Sequence, residues 1–199
     1  MKKAPLGTWL RWLRSTATLV FIVALCLAVA VLVIALIPGS PVTLELPAAS
    51  LSGLDGIRGL EPGVVADPAG GIDFRIADPS LVQRLLYLAT MLPGLALIAE
   101  IARRMAKLLR NAQDNDPFTA GTVRELTAVA KITALGGLAA WAVGYVAKWV
   151  LSATMLHSAA AIRPDQSLLG WLAVGLIFAA FGQLIAHGVA MRVELDTVI

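Results

Sequence analysis

Apolar residues gather into four long runs, at 15–37, 85–102, 132–155 and 168–190. At ~1.5 Å per residue, each run is long enough as a helix to cross a hydrocarbon core of ~30 Å. None keeps the polar face that a helix on a soluble domain turns to water. The segment between the first two runs has a different rhythm. Val42-Thr43-Leu44-Glu45-Leu46 and Ile72-Asp73-Phe74-Arg75-Ile76 alternate apolar and polar positions, as half-buried strands do. Gly63–Ala66 offers a third, shorter strand, and Gly70-Gly71 a turn. The pattern predicts an all-α membrane protein: a four-transmembrane-helix bundle with a small extracellular β-strand cap between helices 1 and 2, at 38–80.

Local signals refine the helices. Pro38-Gly39-Ser40-Pro41 ends the first, and Asp78-Pro79-Ser80 starts the second. The second helix is expected to pass the membrane and reach about Asn111. Pro93-Gly94 in its middle predicts a kink or a locally unwound turn. Beyond the bilayer Ile101, Met105, Leu108 and Leu109 form an apolar face, with Arg103, Lys107 and Arg110 opposite. Thr119 is suited to cap the third helix, with Phe118 and Val123 placed as a hydrophobic staple. Residues 103–131 thus read as a cytoplasmic helical hairpin with its tip at Asp114–Phe118. Small residues recur at Gly136, Ala140 and Gly144, and at Gly175, Ala179, Gly182 and Ala186, where helices can approach closely in lipid. The 199 residues suffice for a single domain.

Hydrophobic residues make up 58% of the chain, and mean hydropathy is +0.81. The net charge of +3 matters less than its placement. Lys2, Lys3, Arg11 and Arg14 precede the first run. Arg103, Arg104, Lys107, Arg110, Arg124 and Lys131 lie between the second and third. Acids dominate the segment after the first run. The positive-inside rule therefore puts both termini and the middle loop in the cytoplasm. The basic residues are split among juxtamembrane sites, so direct nucleic-acid binding is not expected. The first run is too long for a secretory signal and is expected to stay as an anchor helix. Cys26 is the only cysteine, which excludes an intrachain disulfide and a thiolate cluster.

Asn115-Asp116-Pro117-Phe118-Thr119, followed by Val123-Arg124-Glu125-Leu126, resembles the Pro-Phe motif of a small bacterial membrane family catalogued as domain of unknown function 2975. Asp78-Pro79-Ser80 and the ending Gly188…Glu194-Leu195-Asp196-Thr197-Val198 match its pattern, although the acidic stretch is thin here. The resemblance implies four spans, a strand-bearing outer segment and a charged cytoplasmic hairpin in a bacterial plasma membrane. It carries no enzymatic residues. Members are often encoded beside a small helix-turn-helix regulator, which suggests a regulatory partner.

Lys148 is the one cation within a span, and such a charge marks a functional site by default. Trp141, Tyr145 and Lys148 share a helical face that would suit an anionic ligand or lipid headgroup, with Ser152 continuing it. The plainer alternative is that Lys148 snorkels to the outer headgroups. Glu100 and His187 lie near the inner ends of spans two and four, where a contact between them would titrate near neutral pH. The plainer reading is polar residues at helix ends. His157 and His187 fall on opposite sides of the membrane, so no multi-histidine metal site is expected. No catalytic constellation or cofactor motif is present. The leading expectation is a non-enzymatic regulatory or interaction protein whose partner docks on Arg103, Lys107, Arg110, Asp116, Pro117 and Phe118. The alternatives are a small transporter, working as a homo-oligomer, and a lipid- or toxin-binding protective protein.

Overall fold

The computed structural model describes residues 6–37, 39–47, 71–114, 119–155 and 167–198. Its elements are α1 (Leu6–Leu36), β1 (Val42–Pro47), β2 (Gly71–Ile76), α2 (Leu81–Asp114), α3 (Ala120–Met155) and α4 (Ser167–Val198). All four helices are long and apolar enough to span a membrane. The expected strand at 63–66 and the Phe118 staple lie outside the described residues. Pro93 is accommodated inside α2, which stays helical through Pro93-Gly94 and so is not unwound there. A proline removes one backbone donor, and the helix on either side carries the turn across it.

The chain forms two compact units, and α1, α2 and α3 each contribute to both. The first comprises Met1–Val29, Pro93–Trp141 and Gln166–Ile199. Its buried stripe is Leu126, Val129, Ala130 and Thr133, spaced so that one face of α3 turns inward. Thr133 is fully buried, and its hydroxyl donates to the Val129 carbonyl at 2.8 Å, which removes the cost of an unmet polar group. Small residues set the helix spacing. A Cβ at Gly136 would lie 2.8 Å from Leu97 Cδ1 of α2. At Gly175 one would meet Ala134 Cβ at 3.1 Å and the Ala130 carbonyl at 3.3 Å. Gly182 faces Leu126 and Thr127. Ala179, in the expected stripe, is exposed instead. The tightest approach is at Gly137, which the fourfold spacing had passed over: a Cβ there would lie 2.5 Å from Trp171 Cβ. Gly136 and Gly137 are neighbours, so one serves the contact with α2 and the other the contact with α4.

The second unit comprises Ala30–Leu92 and Ala142–Asp165. β1 and β2 pair antiparallel, with Val42 opposite Ile76, Leu44 opposite Phe74 and Pro47 opposite Gly71. Alternation then sorts the side chains. Val42 and Leu44 are buried against Leu151 of α3, with Phe74, Ile76, Leu86 and Tyr87 around them. Thr43, Glu45, Asp73 and Arg75 are exposed on the other face. Both alternating runs are therefore strands, and their apolar face is covered by helix.

The junctions of this unit are heavily bonded. Gly39 takes a left-handed φ of 81° just after α1, a conformation that glycine adopts without strain. Ser80 and Gln83 form a reciprocal cap on α2: Gln83 N donates to Ser80 Oγ at 3.3 Å, and Ser80 N donates to Gln83 Oε1 at 2.9 Å. Gln83 Nε2 also donates to Thr154 Oγ1 of α3 at 3.2 Å. Arg84 donates through Nε to the Pro79 carbonyl at 3.1 Å. Its Nη1 donates to the Ala35 and Ile37 carbonyls at 3.2 and 2.6 Å.

Candidate functional site

The residues expected to meet a partner sit on α2 just past its apolar run. Glu100 accepts two bonds from Arg103, at 2.9 and 3.0 Å, and one from Arg104 at 2.6 Å. Spacings of three and four residues put these three side chains on adjoining turns. Glu100 is thus engaged by its own helix, whereas His187 is exposed, so the Glu100–His187 contact considered from sequence is replaced by an intrahelical fork. Lys107 and Arg110 are exposed, and among the described residues neither forms an ion pair. The cationic edge is therefore least neutralised toward the end of α2: Arg103 is paired with Glu100, and among the described residues Lys107 and Arg110 have no ion-pair partner.

The apolar side of the same segment faces inward. Ile101, Met105 and Leu109 line an open groove of about 350 Å³, walled also by Leu13 and Val20 of α1 and by Phe178 of α4. From sequence alone, part of this face could equally be covered across the hairpin by Val123, Leu126 and Ala130. Leu126 and Ala130 are buried and Val123 is half-buried, but α1 and α4 supply the groove's other walls. One turn beyond Leu109, Gln113 Oε1 accepts from Arg14 Nη1 at 3.1 Å, tying the start of α1 to the end of α2. Among the described residues the buried Gln113 Nε2 has no acceptor.

Asp116, Pro117 and Phe118 lie outside the described residues. Beside them Thr119 caps α3 as its sequence position suggested: Thr122 N donates to Thr119 Oγ1 at 3.3 Å. In the second unit, Lys148 and Tyr145 are half-buried on α3, and Trp141 is half-buried where the first unit ends. Among the described residues Lys148 forms no ion pair, while Trp141 and Tyr145 are both engaged in interactions. Ser152 does not extend this face as a ligand, because it is fully buried and its hydroxyl donates to the Trp149 carbonyl at 2.8 Å. Among the described residues no three His, Cys, Asp or Glu side chains come close enough to hold a metal ion.

Sequence reasoning passed over Arg84 and Arg14. Each is a cation whose partner is far along the chain, so no local spacing marks it. The Ser80-x-x-Gln83 box carried a readable signal, since Ser followed three residues later by Gln before an apolar run is a helix-start pattern.

No curated protein and no solved structure matches the chain. A family described as protein of unknown function, DUF2975, matches residues 68–199. The matched region begins three residues before β2 and runs to the last residue, which leaves α1 and β1 outside it. It contains Asp78-Pro79-Ser80 at the α2 cap, the Asn115–Leu126 motif and the C-terminal Glu194–Val198 stretch. The chain, whose four long apolar helices are those of a multi-pass membrane protein, belongs to this family of proteins of unknown function.

Proposed function

We propose that this protein is a non-enzymatic regulatory protein of the bacterial plasma membrane. In this reading both termini and the 103–131 segment are cytoplasmic, and the β1–β2 sheet is an extracellular cap. A soluble partner, of the kind of a small helix-turn-helix regulator, docks on the cationic edge of α2. One observation carries the reading. Past Glu100 the two sides of α2 separate completely: Ile101, Met105 and Leu109 serve the bundle, while Lys107 and Arg110 stand exposed without carboxylate partners among the described residues. A connector between two spans has no need to extend so far or to keep an unneutralised basic edge. A partner with an acidic surface has use for both, since complementary charge steers encounter and sets register.

The test is recruitment. Membranes carrying the full chain should retain a small soluble helix-turn-helix regulator with an acidic surface in a salt-sensitive way. Lys107→Glu with Arg110→Glu should abolish retention while leaving membrane insertion and thermal unfolding unchanged. If retention is indifferent to both salt and charge reversal, the edge is not a docking surface and the regulatory reading fails.

A further inference from the structure

We infer that the groove between α1, α2 and α4 holds one acyl chain of an anionic phospholipid from the leaflet at its Arg14 end, with the headgroup phosphate against Arg14. This inference is independent of the regulatory reading above.

Three features of the first unit carry it. The groove has an apolar wall drawn from three separate helices, with Leu13 and Val20 on α1, Ile101, Met105 and Leu109 on α2, and Phe178 on α4. At about 350 Å³ it matches the bulk of a hydrocarbon chain better than that of a side chain from a neighbouring helix. An open apolar groove on membrane-crossing helices excludes water and is filled by lipid unless protein covers it.

The groove also has a direction. The lining takes Leu13 and Val20 from α1 and Ile101 and Leu109 from α2, and Arg14 near the start of α1 bonds Gln113 near the end of α2, so the groove runs along antiparallel helices toward the end of α2. Its apolar wall continues past Glu100, to the depth where the other face of α2 carries Arg103 and Lys107. Hydrocarbon surface is thus kept at headgroup depth on one side only, as an amphiphile entering from the interface requires.

The groove ends on a cation. Gln113 lies one turn beyond Leu109 on the same face of α2, and its Oε1 holds Arg14 Nη1 at 3.1 Å. That single bond orients the guanidinium and leaves its other donors for a ligand. Arg14 is exposed and, among the described residues, has no carboxylate partner. Trp12, which is 69% exposed, precedes it as expected of a side chain at headgroup level. Guanidinium and phosphate pair by charge-assisted hydrogen bonds, which a zwitterionic headgroup offers less freely because its own cation competes.

The experiment reconstitutes the full chain in nanodiscs of equal phosphatidylglycerol and phosphatidylcholine, then reads retained lipid by native mass spectrometry after transfer to mild detergent. Wild type should retain phosphatidylglycerol about fivefold over phosphatidylcholine, the preference one interfacial cation supports. Arg14→Gln should bring the ratio to about one while some lipid of either kind is retained. Val20→Trp, which fills the groove from an exposed position, should lower retention of both lipids. Arg75→Gln, on the exposed face of β2, should change neither. A wild-type ratio near one, or a ratio unaffected by Arg14→Gln, overturns the inference. So does a lipid-free dimer that Val20→Trp dissociates, because the groove would then be an interface between copies.

Discussion

Arg84 Nη1 donates to the Ile37 carbonyl at 2.6 Å, joining the start of α2 to the residue that follows α1. The last carbonyls of a helix have no partner within it, and α1 has no basic residue in its final turn to supply one. Arg84 supplies it from across the sheet insertion, bonding Ala35 as well as Ile37. A cation at this end also opposes the helix dipole. Replacing Arg84 by Met should therefore cost about 1 kcal/mol, the net worth of a typical hydrogen bond, felt mainly at the part-buried Ala35 carbonyl because the Ile37 carbonyl also accepts from Ser40 N. Arg84→Lys should recover only part, since an ammonium cannot span the Pro79, Ala35 and Ile37 carbonyls together. Thermal unfolding in detergent checks the order wild type, Lys, Met.

Ser80→Ala should destabilise α2 by about 1 kcal/mol, as loss of a helix cap usually does. Ser80→Asp should restore most of it, because a carboxylate accepts from Gln83 N and favours the helix N-terminus. Hydrogen exchange at residues 81–84 is the sensitive readout. Equal protection in Ser80→Ala and wild type would show that Arg84 alone holds this end.

Two glycines should respond in opposite ways. Gly137→Leu should disrupt the approach of α4, since even a Cβ meets Trp171 at 2.5 Å. A cost of about 1–3 kcal/mol or more is expected from overpacking. A Cβ at Gly94 meets nothing within 4 Å, so Gly94→Ala should stabilise α2 by about 0.5–1 kcal/mol through helix propensity. Unfolding midpoints of the two variants should move in opposite directions.

Lys148→Met separates the two accounts of that lysine. If Lys148 binds an anionic headgroup together with Tyr145 and Trp141, the variant should lose co-purified anionic lipid. If it only snorkels, lipid content should be unchanged and stability equal or higher, since removing an unpaired charge from a span relieves its desolvation.

Orientation is checked by labelling. With Cys26 replaced by Ala, cysteines placed at Asp55 and Gln166 should react with an impermeant thiol reagent in intact cells. One at Asn115 should react only after permeabilisation. The reverse pattern would invert the proposed topology.

What sequence could and could not show follows from how local each signal is. The four helices were legible because a bilayer demands ~20 apolar residues in a row: the runs at 85–102, 132–155 and 168–190 fall inside α2, α3 and α4, and that at 15–37 ends one residue past α1. The continuation of α2 to Asp114 was legible from the sorting of Ile101, Met105 and Leu109 against Lys107 and Arg110. β1 and β2 were legible from strict alternation. Gly137 was hidden because its contact depends on how α4 rotates about α3, which neither helix encodes alone. Arg84 and Arg14 were hidden for the same reason: their acceptors are brought to them only by folding. The groove could not be foreseen, because its wall joins Leu13, Leu109 and Phe178 from three separated runs.

Glycine contacts fix the register of α4 on α3. Gly137 meets Trp171 and Gly182 meets Thr127, so α4 runs beside the stretch of α3 that leads down to Arg124. Its outer surface there is Phe181 and Leu184, 54% and 69% exposed, an apolar face suited to lipid. Arg124, Thr127 and Lys131 stay exposed on α3, so α4 covers only one side of it and leaves these positions as uncovered as Lys107 and Arg110 are on α2.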